Sequence, residues 1–570
     1  MRLGRLSGMC VVSLLAAAVA FTACGSSDQK KKVPNQYQSG GEGGDAGAGE
    51  PTSGSAGKSV GGGGSGGTGG TVMNDGGVGG VPIEPQGGAA GAPDLEPLGG
   101  AGGAGGDGTV VPFHGLYVGP TGDDANGDGT VGNPFASLAK VVGMAKAGDT
   151  IVFLDGTYKA SASQLSSTVI PDGVNVMAET PGAVTLQGAA NLPLFKLAGS
   201  SSIEGIHFLS FQTVVQFVDG ATATGSLTIK DSSFQDCAVQ CLLLSGTTTT
   251  NIDVAADAVL GDGTYNFAIL SQQANLSIAG GIFQNFSNGN VVNATDDAVV
   301  TLDDVSFTAS TSKALLLDKK ASAHLSHVTM ATGGAGLITQ KGQSALTIAD
   351  SDLSLAPNDK AGLCLRLEMD GVGSTEVTDS KLHDCNTGFS GSIPATLTLT
   401  RVEAYDMNFA GIDLGGGAGG AGVVVRIVDS NFHDFGSTAL RINNGANFTD
   451  LKFRGTKFIV SDVKSTWDAV TLQTSVGSNL DLGTATDPGG NTFLVANVNN
   501  TALRLGTQGT AMKAKAVGNT WIPNVQNADA QGHYNAPAGA GMKLEDSSGT
   551  PGHNYAAPYA GSSILLAQNP

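Results

Sequence analysis

Two columns of polar side chains recur in one stretch of this chain. Asp379, Arg401 and Asp429 each stand three residues before an apolar anchor: Leu382, Ala404 and Phe432. His383, Tyr405 and His433 stand one residue after those anchors, and Asp384, Asp406 and Asp434 two after. An arginine between carboxylates, beside two imidazoles and a phenol, could supply an acid–base pair or hold a sugar by stacking and hydrogen bonding. Asp379, Arg401, Asp429, His383, Tyr405 and His433 are therefore the candidate catalytic or binding residues. A plainer reading competes. An aspartate repeated at a corner caps its own backbone, and Arg401 relieves repulsion between the carboxylates on either side. Glycoside hydrolysis needs two carboxylates facing one bond, and the aspartate columns offer many pairs without singling one out.

A second candidate is DANGDG at 124–129. Asp124, Asn126, Asp128 and Gly129 match the first half of a Ca²⁺-binding loop of the EF-hand type. The twelfth position is Phe135 rather than glutamate, so a plain turn competes with a Ca²⁺ site. Near the far end, Trp521 and the stretches GHYN (532–535) and GHNY (552–555) gather aromatics and histidines. They read as a closing segment over the last repeat.

The columns exist because a phrase repeats. LTIKDSSFQDC (227–237) returns as VTLDDVSF (300–307), LTIADSDL (346–353), TEVTDSKLHDC (375–385), LTLTRVEAYD (397–406) and VRIVDSNFHDF (425–435). From Phe283 to Phe458 the anchors recur every 22 to 29 residues. That period belongs to a solenoid, in which each repeat buries its apolar face on its neighbours. Within a copy, Leu227 and Ile229 point in while Thr228 and Lys230 point out, and a break follows at Asp231. Three short strands with polar corners make one coil of a parallel β-helix. The interval predicts about 13 coils between residues 150 and 520, a single all-β domain. A β-helix must protect its open ends. Leu138, Val141, Val142 and Ala145 recur at helical spacing across 137–148, which predicts a short N-terminal capping helix stopped by Gly148.

The net charge is −20, from 29 basic against 49 acidic residues. That argues against a nucleic-acid partner, which would need a basic stripe. It favours neutral or cationic partners. A strongly anionic polymer would need bridging Ca²⁺ or a local basic strip. Nothing in the pattern calls for a second copy of the chain.

The first residues read as an export signal. Arg2 and Arg5 precede a short apolar run, Val11 to Phe21, and the small-residue site FTAC (21–24) follows. FTAC resembles the lipobox of bacterial lipoproteins, with Phe21 where leucine is usual. The resemblance implies a signal peptide at 1–23 and lipidation of Cys24. Gly25 stands where a retention aspartate would mark an inner-membrane lipoprotein, which implies the outer membrane and a surface-exposed chain. Its acyl groups are then the membrane contact. Residues 24–112 are a tether rich in Gly, Ala and Ser, unable to bury a core. Its flexible reach is about 50 Å. Of six cysteines, Cys10 leaves with the signal and Cys24 takes lipid. Four cysteines allow three pairings. Cys237 and Cys385 both lie three residues after an anchor, and Cys241 and Cys364 both open an apolar strand. Local pairs Cys237–Cys241 and Cys364–Cys385 follow from those places, with buried free thiols as the alternative.

The segment 116–158, LYVGPTGDDANGDGTVGNPFASLAKVVGMAKAGDTIVFLDGTY, resembles the start of right-handed parallel β-helix proteins of the pectin-lyase-like superfamily. It is similar in particular to a domain-of-unknown-function type that opens such helices. The resemblance implies a β-helix over 113–520 and a closing segment over 521–570. The superfamily includes polysaccharide lyases and glycoside hydrolases as well as members without demonstrated catalysis. The polygalacturonase-like residue set is missing, and Asp296-Asp297 lacks its partners. Lyases of this fold use a basic residue beside Ca²⁺-binding aspartates, which Arg401 with Asp379 and Asp429 approximates. Three functions are therefore expected in order: a tethered, non-catalytic binder of polysaccharide or another surface partner; a polysaccharide lyase or hydrolase; and a structural or adhesive protein. Cys24→Ser should abolish labelled-palmitate incorporation and move the protein out of the membrane fraction. Continued labelling of that variant would overturn the assignment of the lipid site.

Overall fold

The computed structural model describes residues 114–522, apart from short internal stretches such as 416–421, 475–478 and 497–502. The export signal, Cys24, the tether and most of 521–570 lie outside the described residues, as does most of the Gly-rich insertion at 415–422.

The described chain is an all-β parallel β-helix of the right-handed type. Three parallel sheets run its length. The first, of 16 strands, extends from Gly115–Val118 to Lys513–Lys515. The second, of 15, extends from Gly156–Lys159 to Thr520–Ile522, and the third, of 14, from Thr168–Ile170 to Leu503–Thr507. Each coil visits them in that order. Thr224–Lys230 lies in the first sheet, Ser233–Gln235 in the second and Gln240–Leu244 in the third. Alternation along a strand decides what is inside. Leu227 and Ile229 are fully buried, whereas Lys230 is exposed.

The corner between the first and second sheets explains the aspartate column. Asp231, Asp304, Asp350, Asp379, Arg401 and Asp429 all have φ between 45° and 56°. This left-handed conformation costs a residue with a Cβ roughly 1–2 kcal/mol, least for Asn and Asp. Glycine also takes the corner. At Gly205, with φ of 73°, an added Cβ would come within 2.8 Å of the Pro181 backbone. The bend lets each corner N–H reach the next coil: Asp379 N donates to Thr400 O at 3.0 Å and Arg401 N to Val428 O at 2.9 Å. The expected capping of the corner by its own aspartate is thus replaced by a backbone conformation that aspartate tolerates.

A buried polar ladder runs beside that corner, and it was not anticipated. The residue after the corner is often a buried serine. Ser351 Oγ accepts Val328 N–H at 3.0 Å and donates to Ala349 O at 2.7 Å. Ser380 and Ser430 repeat the pattern. Further along, Thr456 N–H donates to Asn491 Oδ1, and Asn491 N–H to Asn519 Oδ1. These side chains satisfy backbone donors that the turn leaves unpaired.

Anchors stack on anchors in the interior. Phe283 pairs in register with Phe307, their rings stacked at 5.1 Å, and Phe432, Phe458 and Phe493 continue at 5.5 and 5.4 Å. Cys237 is joined to Cys241 and Cys364 to Cys385, and all four cysteines are buried. The helix is shorter than its apolar spacing predicts: it spans Leu138–Val142, with Ser137 as N-cap, and ends at Gly143. Ala145 N–H is shared between the Val141 and Val142 carbonyls. The chain turns there because it must enter the strand Thr150–Phe153 of the first sheet. Leu138 and Val141 are the buried helical residues. No helix among the described residues is long and apolar enough to cross a membrane.

Phe307→Ala should lower the unfolding free energy by about 3–5 kcal/mol, the range for a fully buried phenylalanine. Urea denaturation followed by circular dichroism would show it as an earlier midpoint, and an unchanged midpoint would contradict the stacked core.

Candidate functional site

The coils at 352–461 bring His383, Tyr405 and His433 together. His383 and Tyr405 are register partners at the ends of Lys381–His383 and Glu403–Tyr405, and His433 follows Asn431–Phe432. Leu382, Ala404 and Phe432 behind them are fully buried, so the next residue along each strand must face outward. The rings lie face to face: His383 on Tyr405 at 4.8 Å and 13°, Tyr405 on His433 at 5.4 Å and 5°. Stacking on each other occupies both faces of Tyr405 and one face of each histidine, which removes most of the ring surface expected to receive a sugar. What this strip mainly offers a ligand is ring edges.

Those edges are hydrogen-bonded. His383 Nδ1 meets Asp384 Oδ2 at 2.8 Å and Nε2 meets Asp352 Oδ1 at 2.8 Å. Carboxylates only accept, so both nitrogens of His383 donate, which is the imidazolium form. The hydrogen bond that His383 donates to Asp352, outweighing burial and joined by the one to Asp384, raises the His383 pKa. Burial opposes ionisation of Asp384, but its contacts with Lys360 and His383 win and lower its pKa. Lys360 Nζ lies 2.8 Å from Asp384 Oδ1. Geometry repeats at His433, with Asp434 at 2.7 Å and Glu403 at 3.3 Å. Burial, then the charges of Asp352, Glu403, Asp384 and Asp406, raise the Tyr405 pKa, which keeps its phenol protonated as a donor.

Arg401 lies elsewhere. It forms a bidentate pair with Asp379, its Nη2 at 2.6 Å from Asp379 Oδ2, and Asp429 acts on it through charge alone. The pair is exposed and contributes little to stability. Asp379 lies at the left-handed corner before the strand Lys381–His383, so the extended rise of about 3.3 Å per residue sets an upper bound of roughly 13 Å on its separation from His383. No hydrogen bond, ion pair or ring contact among the described residues joins Arg401 or Asp379 to His383, Tyr405 or His433, and Arg401 does not sit evenly between two carboxylates.

The Asp124 loop is a turn whose carboxylates are occupied locally. Asp124 accepts the Ala136 and Ser137 N–H groups at 2.8 and 3.0 Å and the Ser137 hydroxyl at 2.5 Å. Asp128 accepts from Thr130, and Asn126 donates its amide to Asp123. Among the described residues no group of three or more His, Cys, Asp or Glu side chains converges on a metal position.

Sequence reasoning missed Asp352, Glu403 and Lys360. Asp352, Lys381 and Glu403 form a register column one residue before the anchor, with Asn431 and Lys457 following. Each histidine reaches diagonally into that column on the preceding coil. The aligned copies contain this signal, but rows before the anchor read as ordinary outward strand positions.

The fold and site define a parallel β-helix protein with a polar outer face. Residues 120–307 match a family model described as a protein of unknown function, DUF1565. A search of curated proteins finds no match to the sequence. Among solved structures, the Azotobacter vinelandii mannuronan C-5 epimerase AlgE6 A-module is 11% identical, at a TM-score of 0.29, covering 75% of this chain and 93% of that one. A mannuronic acid specific polysaccharide family 6 lyase from human gut microbiota is 10% identical at 0.28, covering 72% and 83%. Pectate lyase Pel9A is 12% identical at 0.25, covering 80% and 96%. At these values the likenesses carry no argument about this chain's chemistry.

The His383 pair has a pH signature. A raised folded pKa contributes stability that is full below the unfolded value, 6.5, and is lost as pH rises through the folded value. The lowered Asp384 pKa contributes stability that is present above 3.8 and is lost as pH falls through its folded value. The two contributions overlap between those ordinary values. In NMR titration His383 should titrate above a free histidine, and Asp352→Asn should bring it down. A His383 that titrates like free histidine would contradict the geometry.

Proposed function

We propose that this chain is a lipid-anchored envelope protein, held out on its Gly-rich tether, which presents the outer face of its second sheet to a neutral or cationic glycan without catalysing its cleavage. One observation carries the non-catalytic reading. His383 has both ring nitrogens committed to carboxylates, so no lone pair is free to take a proton, and a general base requires one. Arg401, the arginine of the sequence-defined set, is held by Asp379 at the corner and makes no contact with His383 among the described residues.

What remains is a fixed hydrogen-bonding surface. Asp352, Asp384, Glu403 and Asp434 present acceptors, and Tyr405 presents a donor. Sugar hydroxyls or amines meet such a row well, and the surrounding negative charge favours the amine. The lipobox-like FTAC at 21–24 and the composition of 24–112 support the anchor and the tether.

The test is a panel of neutral, aminated and uronate glycans, measured for binding and for new reducing ends or uronate unsaturation, with and without Ca²⁺. Binding without product, weakened about tenfold or more by Tyr405→Ala with His433→Ala, is expected. Product formation that Arg401→Ala abolishes would replace this reading with a lyase or hydrolase.

A further inference from the structure

The third sheet carries a charge opposite to that of the chain. Lys313, Lys341 and Arg366 stand on three consecutive strands: Lys313–Leu317, Gly336–Gly342 and Leu363–Met369. One carboxylate serves them. Glu368 lies 2.9 Å from Lys341 Nζ and 2.6 Å from Arg366 Nε. Lys313 has no ion pair among the described residues, and burial, then repulsion from Arg366 and Lys341, lowers its pKa. Thr339 stands in register between Leu316 and Arg366, 1% exposed, and its hydroxyl has no hydrogen-bond partner among the described residues. Three cations around one carboxylate, in a chain of net charge −20, repel one another unless an anion joins them.

From Arg366 its register column runs on through Ser390, Asp413 and Arg441. Arg441 is bidentate to Asp413, both contacts at 2.7 Å. Its guanidinium lies 4.9 Å from the centre of the Phe409 ring and 5.5 Å from that of Trp467. Phe409 meets Trp467 edge to face at 5.9 Å, which braces an indole that is 41% exposed. A braced, exposed indole offers a flat apolar surface to a ring. From Arg366 to Arg441 is three coils, about 14 Å at ~4.8 Å each.

We propose that the outer face of the third sheet binds an anionic sugar chain, with Lys313, Lys341 and Arg366 holding its carboxylate or sulfate groups and Trp467 receiving one of its rings. This is the local basic strip that an anionic polymer requires on so acidic a protein. It stands on a different sheet from the His383–Tyr405–His433 strip and does not rest on the reading of that strip.

The experiment uses the full chain and three probes with one backbone: dextran, carboxymethyl-dextran and dextran sulfate, titrated calorimetrically at low and high salt. Expected is binding of a charged probe at least tenfold tighter than dextran, weakened by salt. The paired variant Lys313→Gln with Arg366→Gln should lower that affinity at least tenfold. Trp467→Ala should also lower it, while Lys230→Gln, an exposed position on the first sheet, leaves it unchanged. Tighter binding of the carboxymethyl or the sulfate probe identifies which anion the site takes. Equal binding of all three probes, or a Lys313/Arg366 variant that binds like the parent, would overturn the proposal whatever the second-sheet strip does.

Discussion

Every coil of this protein must hydrogen-bond to the coil before it and the coil after it in one fixed register. That constraint, strands spaced about 4.8 Å apart in three continuous sheets, dictates the rest. A shift of one residue would turn each anchor out and each polar neighbour in. The corner between the first and second sheets protects the register by using a single left-handed residue. Asp379, Asp429 and even Arg401 occupy it because the backbone must bend there. The buried Ser351, Ser380 and Ser430 hydroxyls then close the hydrogen bonds that the bend leaves open.

Function inherits this geometry. Register converts equivalent positions of successive repeats into rows on an outer face, and the chemistry of a row depends on which residues fill it. On the second sheet the row holds His383, Tyr405 and His433, flanked by carboxylates that engage both nitrogens of each imidazole. On the third sheet Lys313, Lys341 and Arg366, from different columns of three consecutive strands, gather near Glu368, and the column of Arg366 continues to Arg441 beside the rings of Phe409 and Trp467. An acidic chain thus presents two faces of different charge, and the sheets keep them apart.

The architecture was legible because anchors such as Phe283, Phe307 and Leu382 recur at a period that only a solenoid explains, and the cysteine places followed from the same alignment. Rows within one sheet were legible too: His383, Tyr405 and His433 do stack. Contacts that cross between rows were not. Nothing in the local pattern says that His383 reaches Asp352 on the preceding coil, or that Arg401 pairs with Asp379 and not Asp429. The third-sheet face was hidden for a further reason. Its residues lie beyond the turn after the second sheet, where loop lengths vary, so Lys313, Arg366 and Trp467 share no common offset from an anchor. The capping helix stops at Gly143 because the path into the first strand overrides the apolar spacing that continues to Ala145.

The register constraint can be tested by excision. Residues 304–326 make one whole coil, from the corner at Asp304 to the residue before the corner at His327. Removing them joins one first-sheet strand end to an equivalent corner, so the remaining coils keep their rows. The account predicts that this protein retains its β-sheet circular dichroism and a single cooperative melt, whereas removing 304–315 alone destroys both. A whole-coil deletion that unfolds the chain as thoroughly as the partial one would contradict it.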